Sequence, residues 1–597
     1  MCSKHLNIPS LHTHSMLRTH TCGELRLTDK GTVVTLCGWM ETVRQHGGIS
    51  FLWLRDRYGI TQITFDEKHN KRLFDEVLRL RKEDVLQVSG RVRYRGDGLV
   101  NKNMNTGEVE VLADTLIILS KSEILPIDIN DEIPASEEMR LKYRYLDLRR
   151  PTMQKNLQIR HRFAMAVREY LTSQHFMEIE TPMLVKSTPE GARDYVVPSR
   201  IHHSMFYALP QSPQLYKQIL MVSGCDRYFQ IARCLRDEDL RADRQPEHTQ
   251  IDIEMSFVEE ADVHTVVEEM IKHAFKKTAN IDIHVPFPKI SHTEAMEKYG
   301  CDKPDLRFGL RLQNVTDIMK QSDFSVFKTV IADKGIVKAI NTEHDFSRKQ
   351  IDEYVKFATD SGAKGLAYVK VTDKGFDGGI AKFFNKQLQE LLIEQMNAKP
   401  GHVLFFCGDK LKIANEIMNK IRNKLGNDLG LIDKNTYVFC WVVDFPLFDW
   451  NDEEKAWEPA HHMFCMPKKE DIQFLETDPG KVHCTQYDLV LNGWEMASGS
   501  IRINVPELQE RVMRVVGFPK ERAQARFGFL LDAFKYGAPP HGGIGIGLDR
   551  MVSLLLKLTD IREVIAFPKN KQAQCPMDGS PSTIDDKQWK ELGLKKH

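Results

Sequence analysis

Between residues 31 and 119 five short runs alternate apolar with polar residues or are β-branched: GTVVTLCGWM, GISFLWLRD, GITQITFD, DVLQVSGRVRYR and GEVEVLADTLIIL. Glycine or aspartate stands at the breaks, and a helical stretch over Lys71–Leu80 interrupts the series. Five strands and one helix make the inventory of an OB-fold barrel, a frequent reader of single-stranded nucleic acid. The plainer alternative is a small barrel with no ligand. At 597 residues the chain must hold more than this barrel, because single hydrophobic cores stop growing well before that size.

Several classes are disfavoured early. No run approaches the roughly 18–20 apolar residues of a membrane span, and the N-terminus lacks an apolar signal core; the expectation is a cytoplasmic protein. The 11 cysteines are scattered, odd in number and form no CxxC, which reads as reduced thiols. Lys+Arg and Asp+Glu are equal at 83 each, so nucleic-acid binding would need a local patch. One candidate runs from Arg140 to Arg162, where Arg140, Lys142, Arg144, Arg149, Arg150, Lys155, Arg160 and Arg162 face the single acid Asp147. A solvated helix face is the equal alternative. Residues 1–20 read as a detached extension, with Met16 as an alternative start, whose His5, His12, His14 and His20 have no second cluster to complete a metal site.

Beyond the barrel, 126–150 reads as a linker around LPIDINDEIPA, and a helix follows with Ile159, Phe163, Val167 and Tyr170 at helical spacing. Residues 151–288 and 435–590 look like two parts of one catalytic domain. Residues 289–434, with helices in KQIDEYVKFA and NKQLQELLIEQM, look like an inserted α+β domain.

Three clusters carry candidate chemistry. The first is LRDEDLRADRQPEHTQIDIE, a charged loop between two strands. On its second strand Ile251, Ile253 and Met255 take one face and Gln250, Asp252 and Glu254 the other; alone, this favours a half-exposed sheet. The second is GGIGIGLDRMVSLLLKL, a glycine-rich strand running into an apolar helix. Glycines admit close approach to the backbone and a helix N-terminus favours anions, yet the spacing is neither a P-loop nor GxGxxG. Arg550 in the first turn opposes the helix dipole, which marks it as a functional candidate. The third is YDLVLNGWEMASGSIRI, where Asp488 and Glu495 flank an Asn492-Gly493 turn and could converge on one divalent ion.

Together these stretches resemble the three signature motifs of class II aminoacyl-tRNA synthetases, with FMEIETPML as the first. TPEGARDY, QSPQLYKQ, DLRADRQPEHTQIDIE and GSIRI resemble the bacterial-type aspartyl-tRNA synthetase family of subclass IIb in particular. The resemblance covers essentially residues 21–585. It implies an α+β multidomain protein: an N-terminal OB-fold β-barrel over 21–125, a class II antiparallel-sheet catalytic domain and the inserted α+β domain.

The resemblance also implies roles. Aspartate would be activated with ATP to aspartyl-adenylate and then passed to tRNA. Arg236, Arg550 and Glu495 would be catalytic, with Arg236 bridging the aspartate carboxylate and the α-phosphate and Arg241 assisting. ATP would lie among Arg236, Asp237, Glu238, Gln245, Glu495, Gly547, Leu548, Asp549 and Arg550. Asp488 and Glu495 would hold Mg²⁺. Aspartate would be bound by Glu190, Gln214, Lys217, Arg236, Asp252, His461 and Arg502. Lys217 and Arg502, which carry no acceptor, would select the side-chain carboxylate over an amide. The barrel would read the anticodon through Arg44, Phe51, Gln62, Arg95 and Glu110. One of Phe51 and Trp53 is expected to be core, and Thr64 stands where the family has a second aromatic. His46 in RQHGG, with RGDGLVN, lies where the choice between aspartate tRNA alone and asparagine tRNA as well is made; the reading leans to aspartate tRNA alone. A C2 homodimer is implied through the helix before Pro182 and the strand beside it. The rivals are a sibling asparaginyl- or lysyl-tRNA synthetase, a binding protein that kept the fold without catalysis, and a single-strand-binding protein. Lys217 with Arg502 speaks against the siblings, and the intact Arg236, Glu238, Asp488, Glu495 and Arg550 against loss of catalysis.

Overall fold

The structure is a computed structural model and describes residues 17–132, 135–188, 192–238 and 244–595. It forms two compact units, one ending at Lys155 and one beginning at Asn156.

In the first unit the five runs fold as β1 (Val33–His46), β2 (Ile49–Arg55), β3 (Ile60–Asp66), β4 (Val85–Tyr94) and β5 (Val109–Ser120), with helix α1 (Lys71–Val77) after β3. They close a barrel in the order β1-β2-β3-β5-β4. Alternation sets its inside: Val34, Leu36, Leu52, Leu54, Ile63, Leu86 and Val88 point into one buried core. Side chains two apart therefore share the outer face, and that face is where a ligand can be read.

Residues 126–150, expected as a linker, carry two short helices, Glu137–Lys142 and Arg144–Asp147. Asp147 is fully buried there and takes hydrogen bonds from Arg140 at 2.9 and 3.2 Å, Arg144 at 2.6 Å and Arg150 at 2.8 Å. Burial pushes its carboxyl up, but the hydrogen bond from Arg140 and the three guanidinium charges hold it below the usual range. Three of the eight basic residues, Arg140, Arg144 and Arg150, are thus neither a solvated face nor an open nucleic-acid patch: they neutralise one buried carboxylate.

The second unit is built on an eight-stranded sheet in the order Lys289–Ser291, Phe439–Val443, Gln486–Leu491, Trp494–Ile501, His541–Gly547, Glu247–Ser256, Arg227–Leu235, Met177–Glu178. All pairs are antiparallel except the two at the edges. One face is apolar and carries the core, where Ile251, Ile253, Ile544 and Ile546 meet Phe163, Val167 and Leu171 of the Pro151–Ser173 helix and Val263, Val267 and Ile271 of the Glu260–Ala279 helix. The opposite face is polar.

Within the expected insertion, a separate five-stranded sheet is formed by Leu312–Asn314, Ile336–Asn341, Val403–Asp409, Ala367–Thr372 and Gly375–Asp377. The strand Lys289–Ser291, expected to open the insertion, instead pairs with Trp441–Val443 and extends the eight-stranded sheet. Among the described residues no helix is long and apolar enough to cross a membrane. His5, His12 and His14 lie outside the described residues.

Candidate active site

The polar face of the central sheet is buried, not half-exposed. Asp252 and Glu254 are 1% and 0% exposed, because the Gln214–Val222 helix lies across them and inserts Lys217. Its Nζ stands 3.1 Å from Asp252 Oδ1 and 3.3 Å from Glu254 Oε2. On the far side of Glu254, Arg502 donates from Nε and Nη2 at 2.9 and 3.2 Å. The result is a line of alternating charge: Asp252, Lys217, Glu254, Arg502. Burial pushes Glu254 up, yet Arg502 and Lys217 overcome this and hold it below the usual range. Burial raises Asp252, and Lys217 offsets only part of that.

The two ends of the line differ. Asp252 Oδ2 is buried with no hydrogen-bond partner, and so are Gln214 Nε2 and Gln218 Nε2. Such atoms cost free energy unless something binds them. At the other end, Glu254 occupies the Nε–Nη2 edge of Arg502, while Nη1 donates to Ser500 Oγ at 2.6 Å and lies 3.3 Å from His462 Nε2. His462 is held neutral, its pKa lowered well below the usual value by burial and then by Arg502. Sequence reasoning singled out His461; the structure brings His462 to Arg502, and sets His461 edge-on to Phe445 with a centroid separation of 5.0 Å. It also left Glu254 and Gln218 without roles. The signal for Glu254 was present, since it shares its strand face with Asp252.

The glycine strand explains itself here. Antiparallel register sets Gly543 opposite Glu254, Gly545 opposite Asp252 and Gly547 opposite Gln250. A Cβ on Gly543 would lie 2.1 Å from both Glu254 Oε2 and Ile253 O, and one on Gly545 would lie 3.3 Å from Asp252 Oδ1. The glycines therefore make room first for carboxylates of this chain, and the ligand-approach reading is secondary at Gly543.

The charged loop leaves the sheet beside this line. Arg236 is half-buried, its backbone N–H bonded to Pro246 O at 2.8 Å and its Nε 3.4 Å from Gln211 O. A cleft lined by Lys186, Asp194, Gln211, Ser212, Tyr216 and Phe529 opens next to it. Asp237 faces Arg193 at 3.6 Å, and Glu238 accepts from Arg244 at 2.6 Å. Gln245 is committed elsewhere: its amide donates to Lys569 O at 3.1 Å and accepts from Lys569 N at 2.7 Å. Glu190 and Arg241 lie outside the described residues.

At the start of the Leu548–Leu555 helix, two of the expected ATP residues have other work for their side chains. Leu548 is in the core. Asp549 accepts from Thr249 N at 2.8 Å and pairs with Arg160, so only the main chain of these two residues is left for a nucleotide. Arg550 donates to the main-chain oxygen of Glu495 and so ties the helix to the carboxylate hairpin.

In that hairpin Asn492 and Gly493 have φ of 54° and 84°, the left-handed pair a two-residue turn requires. Asp488 is 3% exposed, and its carboxyl is pushed up to about 8 by burial and by the charge of Glu495. A buried carboxyl raised by its neighbour's charge fits a hard divalent cation, whose charge would offset both causes. Sequence reasoning missed Lys303, whose Nζ lies 3.4 Å from Glu495 Oε2.

On the barrel, Phe51 and Trp53 are both outside; neither is core. Leu52 between them points in. Register sets Phe51 between Arg44 and Thr64, and Trp53 beside Gln62. Arg44 lies over the Trp53 ring at 5.1 Å. Glu110 accepts from Gln62 at 2.7 Å and from Arg93 at 2.7 Å. Arg95 donates to Val109 O at 3.0 Å and buries an unpartnered Nη2. His46 is exposed at the Gly47-Gly48 turn. Phe51 and Trp53 thus set two aromatics on the outer face of one strand, two residues apart.

Residues 136–571 match the family model described as tRNA synthetases class II (D, K and N), and residues 34–119 match that of the OB-fold nucleic acid binding domain. The chain is 51% identical over 580 residues to an aspartate–tRNA(Asp/Asn) ligase of Caldanaerobacter subterraneus subsp. tengcongensis, covering 97% of this chain and 98% of the relative. It is 49% identical over 582 residues to an aspartate–tRNA ligase of Bacillus licheniformis, covering 97% and 98%. A solved structure described as a putative aspartyl-tRNA synthetase from Leishmania major Friedlin superposes with a TM-score of 0.60 at 20% identity, covering 94% of this chain and 95% of that one.

Proposed function

The chain belongs to the class II tRNA synthetases of the D, K and N group, and from that premise we propose how its residues divide the work of an aspartate–tRNA ligase. The reaction has two steps. The α-carboxylate of aspartate attacks the α-phosphorus of ATP, an O–P bond forms, the bond to the β-phosphate breaks, and aspartyl-adenylate and pyrophosphate result. The terminal ribose hydroxyl of tRNA then takes the aspartyl group and AMP leaves. No side chain becomes covalent, so catalysis is positioning and charge neutralisation.

The observation that carries the substrate reading is the buried line Asp252–Lys217–Glu254–Arg502, with an unpartnered carboxylate oxygen at one end and a guanidinium at the other. Aspartate offers an ammonium and a side-chain carboxylate. The ammonium donates to Asp252 Oδ2 and to the side-chain amide oxygen of Gln214, and the carboxylate takes Arg502, with Lys217 holding the line in place. An asparagine amide would turn N–H toward donors there. Arg236 bridges the attacking carboxylate and the α-phosphate. Arg550, Glu238 and the Gly547–Arg550 main chain receive the rest of ATP. Asp488 and Glu495 would hold Mg²⁺, which when bound draws charge off the phosphates.

Phe51 and Trp53 would stack anticodon bases, with Gln62, Arg95 and Glu110 reading their edges. The name of the Caldanaerobacter relative covers both tRNAs and that of the Bacillus relative one. We favour charging of asparagine tRNA as well, on the more similar of these two, against the leaning of the sequence reading. The homodimer is assigned to the Pro151–Ser173 helix and the Met177–Glu178 strand, where Met165 and Met177 stay about half exposed, and the location to the cytoplasm. The test is a charging assay with aspartate and purified aspartate and asparagine tRNAs. Charging of neither overturns the function; charging of aspartate tRNA alone overturns only the dual specificity.

A further inference from the structure

The segment from Gly300 to Arg311 leads from the His292–Tyr299 helix into the inserted sheet, and on its way it reaches the carboxylate hairpin. Lys303 Nζ lies 3.4 Å from Glu495 Oε2 and 3.7 Å from Asp302 Oδ1. The segment is clamped on both sides. Asp305 accepts from Arg307 N at 3.0 Å and from its guanidinium at 2.9 and 2.6 Å. Arg422, buried on the Leu411–Asp428 helix of the insertion, donates to the main-chain oxygens of Asp305 and Phe308 at 2.9 Å each. Opposite, a Cβ on Gly493 would lie 3.2 Å from Asp305 Cβ, so the Asn492-Gly493 turn rests on the same residue. The backbone that carries Lys303 is fixed by the insertion's own core and by the very turn that joins the Asp488 and Glu495 strands.

An ammonium carried on this held backbone against Glu495, with Asp488 and Asp302 nearby, adds positive charge to a hairpin whose own charged side chains, Asp488 and Glu495, are both carboxylates. We propose that Lys303 is a positioning residue that stands in for the divalent cation at Glu495 in the nucleotide-free enzyme and competes with that cation for the carboxylate. This rests on the assignment of Asp488 and Glu495 to the cation. When the cation binds, Lys303 yields Glu495 and keeps Asp302, so its charge stays paired. Through Lys303 this segment thereby sets how readily the site loads.

The test is thermal melting of the full chain against MgCl₂, without nucleotide and with an EDTA baseline, which reads cation binding through stability. Lys303→Met should melt lower than wild type in EDTA and reach half of its Mg²⁺ response at a concentration about three-fold lower, the scale of a half-exposed ion pair. Lys303→Arg should follow wild type. If the methionine variant does not fold, Lys303→Gln replaces it. Half-saturation at or above the wild-type concentration in the neutral variant overturns the inference. Asp488→Asn separates the two readings. If it keeps the wild-type Mg²⁺ response, or if wild type has none, the cation assignment falls and the inference with it. If Asp488→Asn loses the response while Lys303→Met matches wild type, only the role of Lys303 falls.

Discussion

Arg502 and Glu254 form a two-point ion pair, 2.9 Å from Nε to Oε1 and 3.2 Å from Nη2 to Oε2, in which neither side chain reaches solvent. The pair joins two strands that are far apart in sequence and fixes the guanidinium before any substrate arrives. A preorganised donor of this kind needs no reorganisation on binding. It also means that Arg502 has a structural duty as well as a recognition one, and the two can be separated.

Arg502→Leu should abolish aspartate-dependent pyrophosphate exchange while ATP still binds. It also leaves Glu254 buried with one partner fewer, at a cost of about 3–5 kcal/mol, so exchange must be measured below the lowered melting temperature. Glu254→Gln should keep the fold better and raise KM for aspartate more than KM for ATP, because it loosens Arg502 without removing it. Wild-type exchange in Arg502→Leu would rule out the assignment.

The glycine strand gives a paired prediction. Gly543→Ala drives a methyl into Glu254 and a main-chain oxygen, and should cost at least about 2 kcal/mol with loss of aspartate binding. Gly545→Ala makes only a tight contact with Asp252. It should cost less than about 1 kcal/mol and show itself mainly as a higher KM for aspartate. Urea melts on both variants decide the matter, and equal destabilisation would contradict the register argument.

His264 predicts an acid limit to stability. It is 3% exposed, stacked on Trp441 with centroids 4.1 Å apart, and both ring nitrogens lack partners. Burial lowers its pKa from 6.5 to about 3. The unfolded chain therefore takes up a proton below 6.5 that the folded chain refuses until about 3. Stability present above pH 6.5 is lost as pH falls through that window, at about 1.4 kcal/mol per pH unit and about 2 kcal/mol by pH 5. His264→Phe keeps the stack and should flatten this slope. Identical slopes in urea melts at pH 7 and 5 would refute it.

On the barrel, Phe51→Ala and Trp53→Ala should each raise KM for tRNA roughly ten-fold, from a stacking contribution of about 1–3 kcal/mol per base, and leave adenylate formation unchanged. Equal losses in both activities would point to a damaged barrel instead.

Much of this was legible in the sequence because it is local. The barrel strands and the Asn492-Gly493 turn follow from period-two alternation and left-handed turn residues, which act over a few positions. The motifs carried the family, and they singled out Arg236, Asp252, Arg502 and Arg550 as candidates. The same alternation set Asp252 and Glu254 on one face but could not say whether that face met water. That depended on where the Gln214–Val222 helix lies, and the helix is distant in sequence.

Tertiary structure alone decided which charges are partners. Arg502 takes Glu254, Lys569 claims Gln245, and Lys303 reaches Glu495. The physical reason is one of range. Backbone periodicity is written in neighbouring residues, whereas desolvation and charge pairing depend on distances of a few ångströms between groups that the chain order leaves hundreds of residues apart.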